Sequence, residues 1–176
     1  MLRSVRMGAL NGAVRALYCS SFSEIEKIPE ENLLRALSNG AELTAYHDDN
    51  RFIGFTFSFI DRDMMFLVYF ATEPEVRGRG YGAEILDILR KEHPDHRIFL
   101  VTETCEEGSP YYDICSRRQA FYRRNGCRDT GVRILSDDWW FDTMFVQGTL
   151  SEEEMVATVR LYEDVHNGRE RPADRN

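Results

Sequence analysis

The chain has 176 residues, of which 43% are hydrophobic and 30% are charged, with a net charge of -8 at pH 7. Its length and composition fit one globular domain with a sizeable core and exclude disordered and fibrous classes. The negative charge argues against a general nucleic-acid binder, which needs a positive surface. No apolar run approaches the roughly 20 residues that span a membrane, so we expect a cytoplasmic protein without membrane or nucleic-acid partners.

The cysteines carry no sign of a metal site or a disulfide framework. Cys19, Cys105, Cys115 and Cys127 lack C-x-x-C or similar ligand spacing, and the four histidines are scattered. A domain of this size does not need disulfides. We therefore expect buried thiols in a reducing compartment and no bound metal.

The first part of the chain predicts a strand and two helices. Leu2 to Met7 fits a short edge strand, and a helix follows from about Gly8 to Tyr18. Glu30 and Glu31 complement the dipole at the start of a second helix, which Asn39-Gly40 ends.

Three strands then follow one another closely. Segments Glu42 to His47 and Arg51 to Ile60 alternate apolar and polar residues, whereas Met64 to Ala71 is an uncharged run typical of a strand buried on both faces. Asp48-Asp49-Asn50 and Asp61-Arg62-Asp63 supply the turns. This antiparallel meander differs from the βαβ opening of a Rossmann domain.

A glycine-rich segment, Arg77-Gly78-Arg79-Gly80-Tyr81-Gly82, joins the buried strand to an amphipathic helix whose inner face is Ile85, Leu86 and Leu89. Glycines at a helix start let backbone N–H groups approach an anion, and the helix dipole favours negative charge there. The expected ligand carries phosphate. The G-x-G-x-G spacing excludes the G-x-G-x-x-G fingerprint, and no Gly-Lys-Ser/Thr follows to make a P-loop.

The second half of the chain continues with alternating elements. Because a helix separates them, the strand after the helix should pair in parallel with the buried strand. Ser151 and Glu154 form a capping box for a last helix that reaches about Val165. The other predicted elements are a strand from Arg97 to Thr104, a loop from Cys105 to Asp113, a helix from Ser116 to Asn125 closed by Gly126, and strands Asp129 to Leu135 and Trp139 to Gln147 joined by Ser136-Asp137-Asp138.

This sequence resembles the GNAT superfamily of acyl-CoA-dependent N-acetyltransferases, whose signature is Arg or Gln, two residues, Gly, one residue, then Gly or Ala. Arg77, Gly80 and Gly82 match it, after the acidic approach Glu73-Pro74-Glu75. A simple glycine-rich turn explains the segment less well. The resemblance implies a mixed α/β (α+β) GNAT-like fold, with a central, mostly antiparallel sheet flanked by helices.

The order of elements matches the family across most of the chain. We expect a single N-acetyltransferase domain over residues 1–176, in which residues 151–176 form an added C-terminal helix and a frayed tail. That helix either packs on the domain or supports a homodimer.

The resemblance also implies acetyl-CoA as co-substrate. Backbone groups near Phe70, Ala71 and Thr72 would pair with the pantetheine arm and the thioester oxygen where the strands splay apart. The implied pyrophosphate site is formed by Arg77, Gly78, Arg79, Gly80, Tyr81 and Gly82, and Arg79, Arg123 or Arg124 would reach the nucleotide phosphate. Cys115 stands where many members carry Asn, seven residues before Tyr122, so that hydrogen bond is either missing or made by backbone.

Tyr122 fits the acid that protonates the departing thiolate, because a phenol with a pKa of about 10 holds its proton at neutral pH. Where some members carry a catalytic glutamate, this chain has Phe66, which cannot take a proton. Glu103 is the substitute candidate and Glu26 another; deprotonation through water without a single base is also open.

We therefore expect an N-acetyltransferase that moves an acetyl group from acetyl-CoA to a primary amine by direct attack. The acceptor cleft should lie between the early helices and the Cys105 to Asp113 loop. The acids that suit a cationic acceptor, such as a polyamine, an aminoglycoside or a peptide amine, are Glu24, Glu26, Glu30, Glu31, Glu106 and Glu107.

Two other functions remain as alternatives. Phe66 favours a non-catalytic module that binds acyl-CoA as a regulatory ligand. The Arg-Gly-Arg-Gly run of residues 77–80 fits RNA binding, which the net charge and the surrounding strand and helix disfavour.

Overall fold

A seven-stranded sheet organises the protein, in the order β1-β2-β3-β4-β5-β7-β6. The computed structural model describes residues 1–136 and 139–170. The strands are β1 (Leu2–Met7), β2 (Ala41–Asp48), β3 (Arg51–Asp61), β4 (Met64–Thr72), β5 (Arg97–Glu103), β6 (Arg128–Ser136) and β7 (Trp139–Gln147). The helices are α1 (Gly12–Ser21), α2 (Glu30–Leu37), α3 (Tyr81–Glu92), α4 (Tyr112–Arg124) and α5 (Glu152–His166).

The pairing of β4 with β5 is parallel, as predicted, and the other strand pairs are antiparallel. The mixed α/β class and the mostly antiparallel sheet are thus confirmed. None of the five described helices combines the length and apolar character needed to cross a lipid bilayer.

Helices cover both faces of the sheet. On one face, α1, α2 and α5 pack over a cluster rich in phenylalanine that includes Phe55, Phe57 and Phe59. On the other, α3 and α4 pack over a cluster that includes Met65 and Leu67. The uncharged run of β4 is buried on both faces, because its alternating side chains enter these two clusters.

Two helix starts differ from the sequence prediction. Helix α1 begins at Gly12 rather than Gly8, because the Asn11 side chain accepts a hydrogen bond from the Val14 N–H and caps the helix there. Helix α4 begins at Tyr112 rather than Ser116, so the preceding loop is shorter than predicted. The predicted turn at Ser136-Asp137-Asp138 and the predicted frayed tail lie partly outside the described residues.

Helix α5 packs on the domain, against α2 and β4. The predicted capping box is present: the Ser151 hydroxyl accepts from the Glu154 N–H, and the Glu154 carboxylate accepts from the Ser151 N–H. Arg97, at the start of β5, connects the start of α5 to the sheet through ion pairs. Its guanidinium contacts both carboxylate oxygens of Asp63, at 2.7 and 3.1 Å, and donates to Glu154 Oε2 at 3.0 Å.

We predict that Arg97→Met lowers the free energy of unfolding by about 1–2 kcal/mol, because it removes charge-assisted hydrogen bonds that are only partly screened by solvent. Urea denaturation measures the change. Arg169→Met is the matched control, since the Arg169–Asp164 pair is 76% and 43% exposed and exposed pairs contribute little. Equal effects of the two variants would contradict the role given to Arg97.

Candidate active site

A gap opens in the middle of the sheet. Strands β4 and β5 pair only from Met64 to Leu67 with Arg97 to Leu100, after which they separate. A bulge in β4 lies at this point, because the register with β3 shifts between Phe57 and Ser58. Bulges bend a strand and end pairing locally. The last residues of β4 therefore pair with β3 on one side and face a slot on the other.

The register identifies which backbone groups of β4 face the slot. The Glu73 N–H donates to the Ile53 carbonyl of β3 at 2.8 Å. In an antiparallel pair the bonded residues alternate, so Ala71 also points toward β3, whereas Phe70 and Thr72 point toward the slot. The Thr72 carbonyl accepts from Arg77 Nε at 3.2 Å.

The glycine-rich loop ends at an uncapped start of α3. Gly78 and Gly80 have φ of 75° and 88°, in the left-handed region that favours glycine, and no side chain caps the helix at Gly80. Among the described residues, no backbone carbonyl accepts from the N–H groups of Gly78, Gly80, Tyr81 and Gly82. The combination of free donors and a positive dipole end is typical of an anion site.

Gly82 is needed for a different reason. A Cβ at this position would lie 3.0 Å from Cζ of Phe121, tighter than most real Cβ contacts, so the ring would have to shift. The absent side chain lets the first turn of α3 lie directly against α4. The loop and α4 thus form one continuous wall beside the slot.

A cavity of about 1170 Å³ passes through the slot from one face of the sheet to the other. On the α3 and α4 side its lining includes Gly78, Gly80 and Phe121. On the opposite side it includes Phe22 from the segment after α1 and Tyr162 from α5. The gap between β4 and β5 is therefore a passage that connects two chambers.

Tyr122 lies at this passage on α4. Its ring is 8% exposed, and burial raises the pKa of its phenol to about 12. The end of α4 fixes its position: the Cys127 N–H donates to the Tyr122 carbonyl at 3.0 Å, and the predicted cap Gly126 has φ of 80°. Gln119 Nε2 also holds α4 on the sheet, through a hydrogen bond of 3.2 Å to Thr102 Oγ1 of β5. Because burial raises its pKa, the Tyr122 phenol remains protonated at neutral pH.

Both candidate bases meet at a third residue, Arg118. Arg118 Nη1 lies 3.2 Å from Glu103 Oε2 and 3.9 Å from Glu26 Oε1. Burial raises the pKa of the Glu103 carboxyl, Arg118 opposes this rise, and the nearby Glu26 adds to it. All three residues line the cavity.

Arg118 is not among the site residues predicted from the sequence. It lies one helical turn before Tyr122, on the same face of α4, and this spacing is the signal that would have placed it at the site.

Phe66, at the position of the glutamate found in some GNAT enzymes, is part of the core. Its ring stacks on Phe99 with centroids 5.0 Å apart and contacts Tyr162 edge-on. An acid at this position would sit among aromatic rings. Any base must therefore come from elsewhere in the cavity.

Cysteine pairing differs from the sequence prediction. Cys105 and Cys115 form a disulfide with Cα atoms 5.6 Å apart, so the expectation of four thiols is wrong for this pair. The physical reason is the early start of α4, which places Cys115 in its first turn opposite Cys105. Cys19 and Cys127 are free, but Cys19 is exposed rather than buried.

The Cys115 sulfur is therefore engaged with Cys105, and Cys115 is not among the residues that line the cavity. Of the other predicted co-substrate residues, Arg79, Tyr81, Arg123 and Arg124 do not line it either, whereas the remaining seven do: Phe70, Ala71, Thr72, Arg77, Gly78, Gly80 and Gly82. Arg123 is committed elsewhere, since its guanidinium contacts both oxygens of Asp129, at 2.7 and 2.9 Å.

Of the six acids suggested for a cationic acceptor, Glu26 alone is among the cavity-lining residues of the described chain. Glu30 pairs with Arg15 and Glu24 with Lys27, both outside the lining. The residues between β5 and α4 contribute no lining side chain either; the start of α4, β6, β7 and α5 do so instead.

The model of the acetyltransferase (GNAT) family matches residues 12–127. The chain belongs to this family. The match runs from the start of α1 to just beyond α4 and includes the glycine-rich loop and Tyr122. No curated protein sequence matches the chain.

Several solved structures share this fold. A GNAT-family protein from Bacteroides thetaiotaomicron has a TM-score of 0.71 at 22% identity, over 89% of this chain and 92% of that one. A Bacillus subtilis acetyltransferase in complex with CoA has a TM-score of 0.59 at 14% identity, over 85% and 100%. The ribosomal-protein-S18-alanine N-acetyltransferase from Escherichia coli has a TM-score of 0.57 at 13% identity, over 86% and 98%.

We predict that replacing both Cys105 and Cys115 with serine lowers the free energy of unfolding by about 2–3 kcal/mol, because the disulfide closes a short loop in the unfolded chain. Thermal unfolding without reductant measures this, with Cys19→Ser as the control that leaves the pair intact. Thiol titration of the wild-type protein, denatured without reductant, should detect two free cysteines, Cys19 and Cys127. Four reactive thiols in the oxidised protein would contradict the pairing.

Proposed function

We propose that this protein transfers an acetyl group from acetyl-CoA to a primary amine by direct attack of the amine on the thioester. The observation that carries the proposal is the passage between β4 and β5. It joins a helix start that fits an anion on one face to a chamber with carboxylates on the other, and the backbone of Phe70 and Thr72 faces the slot between them.

The residues of the α3 side fit the co-substrate. The N–H groups of Gly78, Gly80, Tyr81 and Gly82 would hold the diphosphate, and the slot-facing groups of Phe70 and Thr72 would pair with the extended pantetheine arm. The N–H of Phe70 is better placed than that of Ala71 to donate toward the thioester oxygen, because Ala71 faces β3. Bound acetyl-CoA supplies an activated acyl group.

The residues around the passage fit the proton transfers of this reaction. The amine must be neutral to attack, so Glu103, or Glu26 through water, would accept its proton. As the C–N bond forms and the C–S bond breaks, Tyr122 would donate its proton to the sulfur. Its raised pKa keeps it in the donating form across the physiological range.

Arg118 has a positioning role in this proposal. Its guanidinium lies between Glu103 and Glu26 and holds two carboxylates in one cluster at the passage. Because it stabilises the ionised form of Glu103, it limits the rise in that pKa. Burial thus increases the affinity of the Glu103 carboxylate for a proton, and Arg118 favours its ionised form.

The second candidate is a module that binds acyl-CoA without chemistry. The observation that favours it is Phe66, which is buried against Phe99 and Tyr162 and cannot act as a base. The two functions differ in one readout. An enzyme releases CoA when acetyl-CoA and an amine are both present, whereas a binding module gives saturable acetyl-CoA binding without release.

We predict that Tyr122→Phe lowers kcat by roughly 10²-fold or more, the range of a lost general acid, with little change in the KM for acetyl-CoA. Steady-state CoA release measures both constants. Tyr112→Phe, an exposed tyrosine of the same helix, is the control. Full turnover by Tyr122→Phe would remove the phenol from the mechanism.

We also predict an acid limb in kcat/KM that reports Glu103. The base acts only when ionised, and its pKa is raised above the ordinary value of about 4.3, so activity should fall as pH drops through that higher pKa. Tyr122 adds no basic limb below about pH 10, because its pKa is about 12.

Glu103→Gln should lower the rate of CoA release about 10²-fold. It should also remove the part of the acid limb that Glu103 causes. Glu152→Gln, an exposed acid on α5, should retain the wild-type profile. An unchanged pH profile in Glu103→Gln would assign the base elsewhere.

A further inference from the structure

The chamber on the α1, α2 and α5 face has mostly apolar walls. We call this part of the cavity the acceptor chamber. Its walls come from the segment between α1 and α2, from the β6–β7 edge and from α5. The apolar side chains that build it include Phe22, Ile25, Ile134, Trp139, Phe141 and Val159.

Three exposed apolar side chains also line this cavity. Ile25 is 60% exposed, Ile114 51% and Trp139 54%, and they come from three separate elements: the α1–α2 segment, α4 and β7. Large apolar side chains left in water along one cavity indicate a surface that binds an apolar ligand. Three exposed apolar residues that line one cavity therefore indicate a ligand-binding surface more strongly than any one of them would alone.

Carboxylates lie at two places in the acceptor chamber, beside other polar lining residues that include Ser20, Ser21, Tyr162 and His166. Glu26 and Glu103 lie with Arg118 near the passage. Glu163, on α5, accepts a hydrogen bond from the Ser136 hydroxyl at 2.5 Å. An amine at the passage would meet carboxylates, whereas the rest of the same molecule would meet hydrocarbon and aromatic rings.

A polyamine or an aminoglycoside fits these walls poorly. An ammonium or hydroxyl group that meets Phe22, Trp139 or Phe141 would leave water without gaining a partner there, and desolvation of an unpaired charge is costly. An apolar body gains free energy from the same walls, because its surface leaves water on binding.

We propose that the acceptor is a small amphipathic amine, with one primary amino group on an apolar and preferably aromatic body, whose body lies between Trp139, Ile25 and α5. The proposal rests on the proposed acetyl transfer and names its substrate class. Trp139 determines specificity by covering the apolar body in the chamber.

The test compares CoA release from acetyl-CoA with four acceptors: 2-phenylethylamine, spermidine, kanamycin and a short lysine peptide. Burial of an apolar aromatic body stabilises the complex, so we expect kcat/KM for 2-phenylethylamine to exceed that for each polar acceptor by about tenfold or more. Equal or better turnover of a polar acceptor overturns the proposal.

Trp139→Ala and Trp140→Ala form a matched pair. The neighbouring tryptophans are 54% and 55% exposed, but Trp139 lines the cavity and Trp140 does not. Trp139→Ala should raise the KM for 2-phenylethylamine about tenfold and leave the KM for acetyl-CoA unchanged, since only the acceptor loses its cover. Trp140→Ala should change neither constant. An unchanged acceptor KM in Trp139→Ala, or equal shifts in both variants, contradicts the assignment.

Equilibrium binding separates failure of this inference from failure of the proposed function. In the presence of CoA, 2-phenylethylamine should raise the Tm of the native protein and of Trp140→Ala, and raise it less in Trp139→Ala. CoA release with a preference for polar amines would overturn the substrate class alone. Saturable acetyl-CoA binding with no CoA release from any amine would overturn acetyl transfer itself.

Discussion

The separation of β4 from β5 is the constraint on which the rest of the structure depends. Two parallel strands that stayed paired would satisfy each other's backbone groups and close the sheet. Here the pairing stops after Leu67 and Leu100, where β4 carries a bulge, and the backbone of Phe70 and Thr72 faces the slot. A central strand thereby gains an exposed edge inside the protein. Such an edge can pair with an extended ligand, which is why the passage and the coenzyme site coincide in our proposal.

Burial at this passage has the same electrostatic consequence for two different groups. It raises the pKa of Tyr122 to about 12 and also raises the pKa of Glu103. For the phenol, the shift preserves a proton that can be donated. For the carboxylate, it increases proton affinity, and the Arg118 guanidinium opposes this shift. A candidate proton donor and a candidate proton acceptor thus line the same cavity.

Local signals in the sequence were sufficient for most of the fold. The strand β3, the uncharged run of β4 and the capping box of α5 each depend on neighbouring residues, and these three predictions are confirmed. The alternation in β3 also predicts a half-buried strand, and this is wrong, because the face that carries Thr56 and Ser58 is buried as well. The glycine-rich loop was recognised because its spacing differs from other phosphate-binding motifs. The starts of α1 and α4 were missed, since the Asn11 cap competes with Gly8 and the first turn of α4 carries no strong capping residue.

Features formed between distant residues could not be predicted from local patterns. The Cys105–Cys115 disulfide depends on how the preceding loop folds back on α4. The contribution of α5 to the acceptor chamber depends on its packing against β4, which the capping box does not encode. The meeting of Glu26 and Glu103 at Arg118 joins three elements, although both acids were identified separately.

The most direct test of the central claim is residue-resolved amide hydrogen exchange with and without CoA. The account predicts that CoA protects the N–H groups of Phe70, Thr72, Gly78 and Gly80, because they would donate to the bound coenzyme. The Ala71 N–H, which faces β3, should change little and serves as an internal reference. Saturable CoA binding that leaves Phe70, Thr72 and the loop glycines unprotected would contradict the claim that the gap between β4 and β5 holds the coenzyme.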